Sequence, residues 1–441
     1  MDFSKELEKI CQQFPDLKFN FRLREWETDF LRFYQSQINY NISKHSVSLN
    51  TTLYKGKKSY SFTIYNPTKE QLLEKIDEVK ELVEKLPEDP DFIDLEDNLE
   101  KTSEREKTNN IEKVNLNVKL EILEKIVQTI EPYDFRIYGT FICNYRTLYI
   151  VNSNGLFKRE ISSPIYMEVK AVSNKNEVTV LEVFGGENFE KFNQTRFIKN
   201  LEDKVAAASG EVVDVEPGEY EVILAPRCIG DYWMYLESSM TARSLDVQQS
   251  FFENKLNQKV FPENITLTDD PEHPELINFD YNGDGHPYRK MPIIENGVFK
   301  NFMVDNYYGR KLKMEKNGAD GAALVMSTGN KSWEDLVGSV KKGLYISSLH
   351  YMNFINRKET SLTGLTRDGT FLIENGKITK VVNNLRFTEK ISDIINGITD
   401  IEDQAYTVPY SSNYGEFGID SVRMPHVKVA GFKISSSTRK V

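Results

Sequence analysis

Cysteine is scarce in this chain. Three occur among 441 residues, Cys11, Cys143 and Cys228. They are odd in number, far apart and in unlike contexts, which excludes a disulfide framework or a CxxC metal site as the organising device. Histidine is nearly as rare. His45, His273, His286, His350 and His426 have no His or Cys partner at metal-ligand spacing, and no H-E-x-x-H occurs. No apolar run approaches membrane-spanning length, and the opening MDFSKELEKICQQF patterns as a charged amphipathic helix rather than a signal peptide. A reduced, cytoplasmic protein with no membrane partner is the expectation. A surplus of positive charge is also missing. The net charge of −11 argues against a nucleic-acid partner, which needs clustered Lys and Arg. There is no Walker loop, dinucleotide fingerprint or G-x-S-x-G serine.

Aromatics are plentiful, with 26 Phe and 22 Tyr, and favour sheet-rich packing. Ser4 to Phe14 reads as a helix stopped by Pro15, with Leu7, Ile10 and Phe14 on one face. Leu17, Phe19, Phe21 and Leu23 alternate with polar residues at the period of a half-buried strand. Further strands follow through Ile38 to Asn41, Ser46 to Tyr54 and Lys58 to Tyr65. Thr68 and Gln71 then form a capping box for a helix carrying Leu72, Ile76, Val79 and Val83. Residues 87–113 hold ten acids against four bases and read as a solvated acidic crossing. Beyond it come a helix (Ile122 to Ile130), strands from Phe135 to Val172, and a helix carrying Phe197, Leu201 and Val205.

Helix, strands, helix thus occurs twice in residues 1–210, which suggests an internal duplication. From Gly218 onward the tight-turn pairs Asn296-Gly297 and Asn375-Gly376 mark hairpins. The expected fold class is α+β, with a duplicated N-terminal α+β domain (1–217) and a C-terminal, mainly antiparallel β domain (218–441). Residues 435–441 read as a frayed tail.

One stretch, 218–261, delivers a strand into a helical segment from Gly230 to Met240. A second amphipathic piece follows around Phe251 and Phe252. The helix presents Asp231, Tyr232, Trp233, Met234, Tyr235, Glu237 and Ser239, with no histidine and no second carboxylate a turn away. Elsewhere, Asp280, Asn282, Asp284 and Gly285 match the first half of an EF-hand loop, but Met291 stands where the bidentate Glu belongs. An Asx-rich hairpin turn accounts for it better. His273 and His286 flank this region, so a shared site there stays open.

Several signatures stand in order: GEYEVILAP, NKLNQKVFPENITLTDDP, FDYNGDGHPYRKMPIIENGVFKNFMVDNYYGRKL, KKGLYISSL and PHVKVAGFKIS, with QINYN near the start. Together they resemble the TldD/PmbA family, once called modulators of DNA gyrase, over essentially the whole chain and most strongly from 218 on. The resemblance implies a two-subunit peptidase. A TldD subunit binds zinc through an HExxxH helix and a distant cysteine. A TldE (PmbA) subunit of the same fold lacks those ligands. The zinc would polarise the scissile carbonyl and activate water, with the Glu as general base, on extended peptides held by strand addition.

Carried onto this chain without gaps, the motif puts Met234 and Ser239 at the two His positions, Tyr235 at the Glu, and Ser411 at the cysteine. None suits zinc or base chemistry. The resemblance therefore implies a non-catalytic TldE-like subunit without a cofactor of its own, zinc being carried by a TldD-type partner. The alternative is a stand-alone, homodimeric peptide-binding protein with a degenerate site. A third reading, a different hydrolase built on Asp280, Asp284, His273 or His286, lacks a nucleophile–base pair.

Overall fold

Burying Phe19, Phe21 and Leu23 while their neighbours face outward does produce a strand, and it runs further than the alternation predicts. A computed structural model describes residues 3–96, 109–277, 280–321, 323–411 and 417–437. In it α1 (Phe3–Gln13) leads into β1 (Lys18–Tyr34), β2 (Gln37–Lys55), β3 (Lys58–Tyr65) and α2 (Lys69–Val83). β1 continues through the polar stretch Arg24 to Thr28 because both its edges are occupied, by β2 and by β4. A ladder on each side satisfies every backbone group there, so side-chain polarity does not end the strand. The capping box forms: Thr68 Oγ1 accepts from the Gln71 N–H at 3.2 Å, and Gln71 Oε1 accepts from the Thr68 N–H at 3.1 Å.

The next elements are α3 (Asn110–Lys113), α4 (Leu116–Ile130), β4 (Phe135–Asn152), β5 (Phe157–Ser162), β6 (Ile165–Ser173), β7 (Thr179–Gly186) and α5 (Gln194–Ala208). The first sheet has the order β3-β2-β1-β4-β6-β7, with β5 branching from β4. Outward from the β1–β4 pair, each half runs through two further antiparallel strands to an edge.

The second sheet uses the rest of the chain. β8 (Val212–Val213), β9 (Gly218–Leu224), α6 (Pro226–Glu237), α7 (Ala242–Asp246), β10 (Leu267–Asp269), β11 (Met291–Glu295) and β12 (Val298–Phe299) come first. Then follow α8 (Asn306–Leu312), β13 (Leu324–Met326), α9 (Trp333–Gly338), β14 (Lys342–Asn356), β15 (Ser361–Glu374), β16 (Lys377–Val382), β17 (Leu385–Lys390), α10 (Ile391–Asn396), β18 (Ile398–Ser411) and β19 (Ile419–Ser437). Twelve strands make one sheet in which β9 lies between β19 and β14, antiparallel to the first and parallel to the second. The chain is α+β with predominantly antiparallel sheets. The Asn296-Gly297 and Asn375-Gly376 pairs turn their hairpins with both residues at positive φ, 49° and 78° in one and 50° and 74° in the other, the geometry that favours Asn-Gly.

One hydrophobic core crosses both sheets, joining Phe141 and Met167 to Ile223, Trp233 and Phe387. A smaller one, with Leu7, Phe19, Leu49 and Ile76, lies under α1 and α2.

Four expectations need correction. The helix read as Gly230 to Met240 starts a turn earlier, at Pro226, whose fixed φ suits a first helical position. Phe251 and Phe252 lie in turns, and the helix beside them is α7. Residues 435–437 belong to β19 rather than a frayed tail, paired with β17. The acidic crossing is anchored at its described start: Glu96 is buried, bonded to Lys316 and Asn306, and its carbonyl accepts from Asn152 Nδ2 at 2.8 Å. The remainder of that crossing up to residue 108 lies outside the described residues.

Candidate functional site

β9 runs into α6 through Ala225, whose N–H donates to the Ile346 carbonyl at 2.9 Å. Cys228, Ile229, Tyr232, Trp233 and Leu236 bury one broad face of α6. Gly230 sets how closely the helix lies on β18 and β19: an added Cβ would come within 2.6 Å of the Tyr410 hydroxyl and 3.0 Å of Val422. Tyr410 Oη also donates to the Arg227 carbonyl at 3.2 Å.

The four positions singled out by resemblance fall into different surroundings. Met234 is on the open side of α6, 37% exposed. Tyr235 donates its hydroxyl to the Met352 carbonyl at 2.5 Å and leans on Phe354. Ser239 lies past the helix end and is buried, its carbonyl accepting from the hydroxyls of Ser244 at 3.0 Å and Ser250 at 2.6 Å. Ser411 ends β18 opposite Ile419, with Oγ buried and no hydrogen-bond partner among the described residues. An exposed thioether, a phenol already bonded to backbone and two hydroxyls do not fit a zinc site, which takes imidazole, thiolate or carboxylate. No group of three or more His, Cys, Asp or Glu among the described residues is placed to hold a metal ion.

The residues of the third reading hold separate partners. Asp284 accepts from Arg22 Nη2 at 2.7 Å, and the Asp280 N–H donates to Glu160 Oε1 at 2.6 Å. His286 stands 4.0 Å from the Glu96 carboxylate, while His273 Nδ1 accepts from the Glu275 N–H at 3.2 Å. The Asx-rich loop fastens the C-terminal half to the first sheet.

Glu237 is not the isolated carboxylate that the sequence suggests. Gly321 packs against its side chain and donates its N–H to Asp269 Oδ2 at 3.1 Å. Burial, with Asp320 and Asp269 beside it, raises the Glu237 carboxyl to about 7; burial and Asp320 raise Asp269 to about 6. Both groups hold protons more tightly when folded than when unfolded. Their contribution to stability is therefore complete below about pH 4 and disappears as pH rises through about 7. Replacing Glu237 by Gln is expected to leave thermal stability unchanged in mild acid and to raise it by about 1–3 kcal/mol at pH 8. Parallel melting curves across that range, with no gain for E237Q at the alkaline end, would contradict the acidic cluster.

A groove runs where the two sheets meet. β7 is the last strand of the first sheet; β18 pairs with β19 on one side, and on the other it is bridged at Glu402 by Lys331. They meet at Gly185, where an added Cβ would come within 2.4 Å of Pro409. One cavity of about 1180 Å³ is lined by Val183 to Gly186, His273 to Leu276 and Arg423. A second of about 630 Å³ reaches the start of α6 and includes Pro226, Arg227, Trp333 and His426. Val183, Arg196, Gln404 and Tyr406 line both, so the two adjoin. Strand edges beside such a cleft offer unpaired N–H and C=O groups to an extended chain. This groove went unnoticed in the sequence, because its residues come from segments more than two hundred positions apart.

Comparison with known proteins agrees with the resemblance. Residues 217–436 match the PmbA/TldA metallopeptidase C-terminal domain. A zinc metalloprotease TldD homolog of Saccharolobus solfataricus is 24% identical over 373 residues, 79% of this chain and 80% of that one. A metalloprotease of Methanocaldococcus jannaschii is 25% identical over 64% of each chain, so this chain spans somewhat less than two thirds of that relative. The crystal structure of TldE from Thermococcus kodakarensis superposes with a TM-score of 0.84 at 20% identity, over 98% of this chain and 99% of the other. No helix among the described residues is long and apolar enough to cross a membrane. With the C-terminal domain, the homologues and the whole-chain fold in agreement, this chain belongs to the TldD/PmbA family.

Proposed function

We propose that this chain is the non-catalytic, TldE-like subunit of a TldD-type zinc metallopeptidase and that its groove holds an extended peptide. The observation that carries the reading is the chemistry of Met234, Tyr235, Ser239 and Ser411. A full family fold surrounds four positions that offer neither a metal ligand set nor a general base. The β7–β18 cleft supports the peptide part, since two strand edges flank a cavity large enough for several residues. Zinc would enter with the partner subunit.

The purified chain is expected to bind no stoichiometric zinc and to cleave a fluorogenic unfolded peptide no faster than a chelated control. Adding a zinc-bearing TldD-type subunit should bring cleavage that this chain increases. Stoichiometric zinc, or chelator-sensitive cleavage by the chain alone, would sink the reading.

A stand-alone, homodimeric peptide-binding protein is the second reading. It is favoured by one feature: both walls of the groove come from a single chain. Solution mass with and without a TldD-type subunit separates the two.

A further inference from the structure

The smaller cavity contains a feature outside the zinc question. β18 leaves its ladder between Ile401 and Ala405. Such an irregularity re-aims side chains, and here Glu402 points at His426 on the neighbouring strand β19. Glu402 Oε2 lies 2.7 Å from His426 Nδ1, and Glu402 Oε1 accepts from the Tyr406 hydroxyl at 2.8 Å. The carboxylate is 2% exposed and the imidazole 14%. Three rings surround the imidazole: Trp333 at 4.6 Å, Tyr406 at 5.4 Å and Tyr345 at 6.0 Å between centroids. All five residues line the cavity.

The protonation states follow from these contacts. Burial pushes the His426 imidazole below its ordinary range, outweighing the carboxylate beside it. Burial opposes the charge on Glu402, but hydrogen bonds from His426 and Tyr406 together hold its carboxyl below the usual range. A neutral imidazole donating Nδ1–H to a carboxylate leaves Nε2 as an acceptor and one negative charge in an aromatic enclosure. Glu402 engages His426 through Nδ1. At the rim, Glu334 and Asp403 are exposed acids. Of the lining cations, Lys204 is held by Glu182 at 2.5 Å and Arg227 by the Tyr410 ring and the Pro409 carbonyl. Arg196 lies over the Tyr406 ring at the rim. Ring faces together with a buried carboxylate form an environment that recognises a cation.

We infer that Glu402, His426 and the rings of Trp333, Tyr345 and Tyr406 form a subsite for a cationic side chain, lysine or arginine, of the extended peptide. The subsite rests on the peptide-groove reading above. The ammonium or guanidinium would donate to His426 Nε2, face the rings, and offset the charge on Glu402. No bond is made or broken.

The test compares two labelled pentapeptides of one alanine frame, with lysine or norleucine at the centre, and n-butylammonium as an isolated cation. Binding to the full chain is read by polarisation for the peptides and by calorimetry for the amine. The lysine peptide is expected to bind roughly tenfold tighter than the norleucine peptide. Glu402→Gln should remove that advantage while leaving the norleucine affinity unchanged. Equal affinity of the two peptides for the unaltered chain overturns the subsite and leaves the groove standing, whether or not the variant folds. Butylammonium binding that Glu402→Gln abolishes, with neither peptide bound, keeps the cation site and removes the peptide groove. Binding of no probe removes both.

Discussion

Trp233→Ala is expected to lower the unfolding free energy by about 3–5 kcal/mol, while Met234→Ala, one residue along, changes it by less than about 0.5 kcal/mol. The two residues are neighbours in α6, and the sequence offers no reason to treat them differently. The fold separates them completely. Trp233 is fully buried, edge-on to Phe261 at 5.9 Å between ring centroids, with Nε1 3.4 Å from Met326 Sδ. Removing the indole opens a cavity between the helix and the second sheet, and surroundings fixed by strands relax little. Met234 is 37% exposed, so its truncation returns little area to water. Urea melts of both variants check the contrast. Equal losses would mean that the assigned helix face is wrong.

A second large effect is expected at the only lysine of α4 that is fully buried among the described residues. Lys119 Nζ, 0% exposed, donates to Asp29 Oδ2 at 2.9 Å and lies 5.3 Å from the centre of the Phe141 ring. Asp29→Ala leaves an ammonium without its counter-charge in the core, at a cost of about 3–5 kcal/mol. Lys119→Met in the same background removes the stranded charge and is expected to recover most of that loss. A double-mutant cycle by chemical denaturation supplies the coupling. Additive losses would show that the pair is solvated and that the burial is misplaced. Cys143 gives a second readout: its thiol, raised to about 12 chiefly by burial, should react faster with a thiol reagent in Asp29→Ala than in the double variant.

Much of the fold is legible locally. The alternation at Phe19, Phe21 and Leu23, the Thr68–Gln71 box and the two Asn-Gly hairpins each depend on residues a few positions apart, and each forms. Lys119 was also legible in part. It stands three residues before Ile122 and seven before Ile126 on the apolar face of α4, a place where a charge needs a partner. The partner, ninety positions earlier, is not legible. The same limit applies at Glu237, which has no second acid within a turn along the helix and acquires Asp269 and Asp320 when the chain folds. His426 has no ligand-spaced neighbour in sequence, and it meets Glu402 because β18 and β19 pair with an irregularity between them.

The sequence alone determined the α+β class, the turn positions and, through its motifs, the resemblance to the TldD/PmbA family that singles out Met234, Tyr235, Ser239 and Ser411. Those properties follow from residue identity and short spacing. Only the tertiary structure decided which of those four residues are buried, where the groove lies, and which acids crowd together or hold an imidazole. Burial and electrostatic coupling depend on distance through space, and strand pairing brings together residues whose separation along the chain carries no trace of it.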